Sequence, residues 1–91
     1  MRTISVHIQV YGKVQGVFYR KTAAEKALSL GLAGWVKNST DGTVEMEVQG
    51  PEDKVMELVH WCRTGPENAV VAEVVYQEIK LTGYLDFKII R

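Results

Sequence analysis

From Thr3 to Tyr11 apolar and polar residues alternate without a break: Ile4, Val6, Ile8 and Val10 on one side, Thr3, Ser5, His7, Gln9 and Tyr11 on the other. Alternate residues fall on opposite faces of an extended chain, so this stretch is a strand with one buried and one wet side. His7 then lies on the polar side, as a surface residue without chemistry. The same period returns in TVEMEVQ, with Val44, Met46 and Val48 inward and Glu45, Glu47 and Gln49 outward. A sheet that is apolar on one face must cover that face with another layer. The cover is legible: Ala23, Ala27 and Leu30 recur at helical spacing, with Ala24 and Leu28 beside them, which predicts a helix over Thr22–Leu30.

The remaining segments complete a pattern. Thr22 and Glu25 have capping-box spacing, with a start one turn earlier as the alternative, and Gly31 suits a left-handed helix end. LAGWVKN (Leu32–Asn38) reads as a short strand, STDG as a turn, and with TVEMEVQ they predict a hairpin. GPED opens a second helix with Pro51 at its first position and Glu52 and Asp53 against the positive helix end. Val55, Leu58, Val59 and Cys62 form its apolar stripe, which makes Cys62 buried filler rather than a nucleophile. Ala69–Lys80 is a valine-rich strand, LTGYLD a turn and FKII a final short strand. The order predicts an α+β fold, the ferredoxin-like α/β sandwich (βαββαβ) with a strand appended. Its sheet is mainly antiparallel, with two helices on one face and water on the other.

With 91 residues the chain fits one domain, 1–91. Eleven Lys and Arg balance eleven Asp and Glu, which argues against long-range attraction to nucleic acid or to an anionic membrane. One cysteine excludes an intramolecular disulfide, and no apolar run is long enough to span a bilayer. The N-terminus carries no signal-peptide pattern, so a cytoplasmic protein is expected.

Chemistry concentrates in YGKVQGVFYRKT, Tyr11–Thr22, where the strand period gives way to the helical one. Gly12 and Gly16 permit a tight turn whose successive N–H groups point inward as an anion nest. The following helix adds unpaired N–H groups and the positive end of its dipole. Arg20 stands at the junction, with a planar fork that can grip two phosphate oxygens; on spacing alone a plain strand-to-helix turn with a solvent arginine fits equally well. The nucleotide-binding P-loop does not fit, because the glycines are four apart and Val17 and Phe18 follow the second. A second stretch, GWVKNSTDGTVE, ends a strand at Asn38 beside a hairpin turn. An asparagine there is also an ordinary turn residue, but in this topology that strand end can lie beside the loop after the first strand, where Asn38 would face the same pocket as Arg20.

GKVQGVFYR followed by GLAGWVKNSTDGTVE resembles the acylphosphatase family, and the likeness runs through the GP helix start, GPENAVV and FKII. Two positions vary mildly, Tyr19 for the more usual phenylalanine and Lys37 for an arginine. The resemblance implies hydrolysis of the mixed anhydride of a carboxylic acid and phosphate, with no metal and no cofactor. It implies a phosphate cradle at Gln15, Gly16, Val17, Phe18, Tyr19 and Arg20, and a water-positioning role for Asn38. Partners would be limited to a small-molecule acyl phosphate, and the protein is expected to be a monomer.

The residues agree with that chemistry. An acyl phosphate expels a carboxylate, whose conjugate acid has a pKa of about 4.3 by analogy with glutamate, and such a group departs without a general acid. Amides, one arginine and one asparagine supply positioning and charge neutralisation, which is what phosphoryl transfer mostly demands. Trp35 and Phe18 are expected to pack, Lys13 to be solvated, and His60 and Trp61 to lie at the helix flank. The alternative is a non-catalytic RNA- or anion-binding module on the same fold. An RNA face needs paired aromatics and positive charge, whereas the third strand turns Glu45 and Glu47 outward. A metal chaperone needs paired cysteines or histidines.

Overall fold

The computed structural model describes residues 2–90. Its elements are β1 (Thr3–Lys13), α1 (Tyr19–Ser29), β2 (Ala33–Asn38), β3 (Val44–Pro51), α2 (Glu52–Cys62), β4 (Val70–Ile79) and β5 (Phe87–Ile90). The strands form one sheet in the order β4-β1-β3-β2-β5. The β1–β3, β1–β4 and β2–β3 pairs are antiparallel, while β5 joins the edge of β2 in parallel, Gly34 opposite Phe87. This is the expected ferredoxin-like fold, with β5 as the appended strand. No helix of the described residues is long and apolar enough to cross a membrane.

The alternation sorts the residues as expected. Ile8, Val10, Val36, Val44, Met46 and Val48 are fully buried under the helices. The helices contribute Tyr19, Ala23 and Ala27 from α1 and Val55, Leu58, Val59 and Cys62 from α2. Burial pushes the Cys62 thiol up to about 12, so it is an inert core residue. Tyr19 is buried too, and its hydroxyl donates to the Cys62 carbonyl at 2.7 Å. That bond satisfies the oxygen that a phenylalanine lacks.

Four expectations need correction. First, the capping box is not formed, and α1 takes the earlier start, at Tyr19. The Thr22 hydroxyl donates back to the Phe18 carbonyl at 2.8 Å, and Phe18, with no side-chain cap, starts the helix. Second, Pro51 is the residue before α2 rather than its first turn, and the Glu52 N–H is taken by the Arg2 carbonyl. Third, Gly12 belongs to β1 rather than to a turn. It sits where the β1–β4 register shifts, and a Cβ there would come within 2.2 Å of the Val70 carbonyl oxygen. Its reason is close strand approach, not anion binding. Fourth, the sheet's open face is partly roofed. The Tyr84 hydroxyl bonds Glu47 and accepts from the Trp35 indole, and the Thr82 N–H donates to Gln49.

Candidate active site

A loop of five residues, Val14 to Phe18, joins β1 to α1. Gly16 has φ 76° and Phe18 has φ 62°, so left-handed residues alternate with ordinary ones. This alternation curls main-chain N–H groups toward a common point. Among the described residues, nothing accepts from the amides of Gln15, Gly16, Val17 or Phe18. The first turn of α1 adds its own donors, and the helix starts without a capping side chain. A concave turn with this many unpaired donors has the geometry that suits an anion.

Beside the loop lies a cavity of about 470 Å³ lined by Val14, Gly16, Phe18, Tyr19, Arg20, Lys21, Asn38 and Ile89. Arg20 and Asn38, far apart in sequence, share it as expected. The reason for Asn38 is periodicity: Gly34 and Val36 point under the helices, and Asn38 is the next residue on that side, just past the buried core. Arg20 reaches the cavity from the first turn of α1, and its Nη1 donates to the Ile90 carbonyl at 3.1 Å. That bond uses one of the five donors of the guanidinium and fixes the fork's direction. Among the described residues, the cavity lining carries two cations, Arg20 and Lys21, and no carboxylate. Among the described residues, no three His, Cys, Asp or Glu side chains converge as metal ligands.

The other cradle residues divide. Gly16, Phe18 and Tyr19 line the cavity, whereas Gln15 and Val17 are not part of its wall. Val17 is buried in the core. Gln15 turns its carboxamide to the β2–β3 turn and donates to the carbonyls of Ser39 at 2.7 Å and Thr43 at 2.9 Å. The loop is therefore clamped to the turn that follows Asn38. Thr43 is held in turn by the Asp41 carboxylate, which takes both its hydroxyl and its N–H. These bonds keep the Asp41 carboxyl below the usual carboxylate range.

On the opposite side of the sheet, His7 is not a bare surface residue. Its Nε2 lies 2.7 Å from Glu45, whose other oxygen accepts from the Ser39 hydroxyl at 3.1 Å and lies 3.6 Å from the Lys37 ammonium. The hydrogen bond from His7 and then that from Ser39 lower the Glu45 carboxyl. Lys37 also sits over the Trp35 ring, 5.4 Å from its centre. Trp35 thus packs as expected, and Trp61 packs against Tyr19 at 5.5 Å. Phe18 does not: it is 74% exposed. Lys21 and Ile89 line the cavity without belonging to either motif. Lys21 has a signal only as the residue next to Arg20; Ile89 has none, because only the parallel pairing of β5 with β2 brings it there.

A profile of the acylphosphatase family matches residues 6–89. The chain is 46% identical to an acylphosphatase of Methylococcus capsulatus, over 94% of this chain and 95% of that one. It superposes on the structure of an acylphosphatase from Coxiella burnetii with a TM-score of 0.93 at 42% identity, covering 96% of this chain and 92% of that one. The crystal structure of acylphosphatase from Bacillus subtilis aligns with a TM-score of 0.94 at 35% identity, over 97% of this chain and 99% of that one.

Proposed function

The chain belongs to the acylphosphatase family and is an acylphosphatase; on that premise we propose that it cleaves the carboxyl–phosphate bond without a metal, by in-line attack of water. The observation that supports this mechanism is the convergence of Arg20 and Asn38 on one cavity beside a left-handed loop of unpaired amides. The phosphoryl oxygens accept from the N–H groups of Gln15 to Tyr19 and from the Arg20 guanidinium. The Asn38 carboxamide orients a water opposite the leaving carboxylate. The water oxygen bonds to phosphorus, the bond to the carboxylate oxygen breaks, and that oxygen leaves with the electron pair. The water's proton passes to a phosphate oxygen or to solvent, because a carboxamide is no base.

The low basicity of the leaving carboxylate removes the need for a general acid. What is left for the protein is alignment and neutralisation of the equatorial oxygens, which preorganised donors in a fixed site supply. One chain provides every group named, so a monomer suffices.

The test is phosphate release from benzoyl phosphate in the presence of EDTA. Wild type retains its rate. Arg20→Ala loses at least about 100-fold in kcat/KM, the usual loss for one oxyanion donor, and is inhibited less by inorganic phosphate. Asn38→Ala loses turnover while phosphate inhibition persists. Near-normal hydrolysis by Arg20→Ala overturns the cradle, and loss of wild-type activity in EDTA overturns metal independence.

A further inference from the structure

The mechanism employs the polar part of the cavity and leaves its apolar part without a task. Phe18 and Ile89 line the cavity together with Arg20 and Asn38, yet neither belongs to the core. Phe18 is 74% exposed and Ile89 39%. The Phe18 backbone is left-handed, with φ 62° and ψ 25°. A bulky residue tolerates that conformation poorly, and such strain gathers at functional sites. At about 470 Å³ the cavity falls in the size range of sites that hold a whole small molecule rather than one anion.

In-line displacement fixes where the rest of the substrate goes. Water occupies the Asn38 side, and the loop and Arg20 take the phosphoryl oxygens. The wall that remains for the acyl group is Phe18, Ile89 and Lys21. We propose that Phe18 and Ile89 form an acyl-binding rim, so that this enzyme prefers acyl phosphates with alkyl or aryl acyl groups over acetyl and carbamoyl phosphate. The proposal rests on the cradle reading above. An apolar chain loses water-exposed surface against the rim, whereas the carbamoyl NH₂ group would meet apolar carbon and lose hydrogen bonds to water. The contact exists in both ground and transition states, so it acts on KM more than on kcat.

The experiment measures kcat and KM for acetyl, butanoyl, hexanoyl, benzoyl and carbamoyl phosphate with wild type, Phe18→Asn and Ile89→Ser. Asparagine tolerates the left-handed backbone while removing the ring. In wild type kcat/KM rises about tenfold from acetyl to hexanoyl, mostly through KM, the low end of what apolar contacts decide. Each variant flattens that rise to about twofold to fourfold, and in Ile89→Ser inhibition by inorganic phosphate stays at the wild-type level. A flat wild-type series overturns the rim, as does an undiminished rise in both variants or an equal loss on every substrate. If Phe18→Asn does not fold, Ile89→Ser decides alone. Acetyl phosphate hydrolysis by wild type and its loss in Arg20→Ala judge the cradle separately from the chain-length dependence.

Discussion

Phe18 is where local strain and the site coincide. Its left-handed backbone costs an ordinary residue about 1–2 kcal/mol, and its ring, 74% exposed, recovers little by packing. Glycine removes the penalty but adds about 0.5–1 kcal/mol of chain entropy on unfolding. Phe18→Gly is therefore expected to stabilise the fold by about 0.5–1 kcal/mol, seen as a higher urea midpoint at unchanged slope. A lower midpoint would mean that the ring packs more than its exposure indicates. The sequence pointed the other way for this residue, since an aromatic beside a valine reads as core. Nothing local announces that the backbone turns left-handed there.

At the level of elements, the site depends on two segments staying in register: the loop before α1 and the turn after β2. Gln15 joins them with hydrogen bonds to Ser39 and Thr43. Both carbonyls keep a main-chain donor as well, the Gly42 N–H on Ser39 and the Ser39 N–H on Thr43. Removing the clamp thus leaves no carbonyl wholly unpaired, and Gln15→Ala is expected to cost about 1–2 kcal/mol, two ordinary bonds. Its kinetic signature is a fall in kcat that exceeds the change in KM, because the strand end that carries Asn38 drifts relative to the loop. Unchanged kcat alongside lost stability would make Gln15 structural only. The sequence marked Gln15 as part of the cradle through its main chain; its side chain's task appears only once β2 and β3 are folded beside the loop.

Across the whole molecule, the formal charge is zero, but the carboxylates are unequal. Glu45 and Asp41 are held below their ordinary values of 4.5 and 3.8, Glu45 first by His7 and Asp41 first by the Thr43 hydroxyl. A carboxyl lowered by folding stabilises the native state above its unfolded value, and that contribution is lost as pH falls through the folded value. Urea unfolding is therefore expected to show a plateau from neutrality to about pH 5 and a decline below it. Glu45→Gln should be less stable on the plateau and should decline less steeply. Asp41 is exposed and Glu45 is only part-buried, so the effect is modest. A Glu45→Gln curve parallel to wild type would deny the carboxylate that role.

The strict alternation of β1 and β3, the helical spacing of α1 and α2 and the glycine-bearing turns determined the architecture by themselves, because face and period are local properties of a chain. Arg20 and Asn38 were legible as motif positions, the arginine that closes a glycine-bearing turn and the asparagine at a strand end before a hairpin turn. The tertiary structure alone decided the rest. It placed Ile89 and the Ile90 carbonyl beside Arg20 through a parallel strand pair, tied Gln15 to the hairpin and drew His7 onto Glu45. Each of these joins residues distant in the chain, and their meeting depends on which strands are neighbours, which no local period encodes.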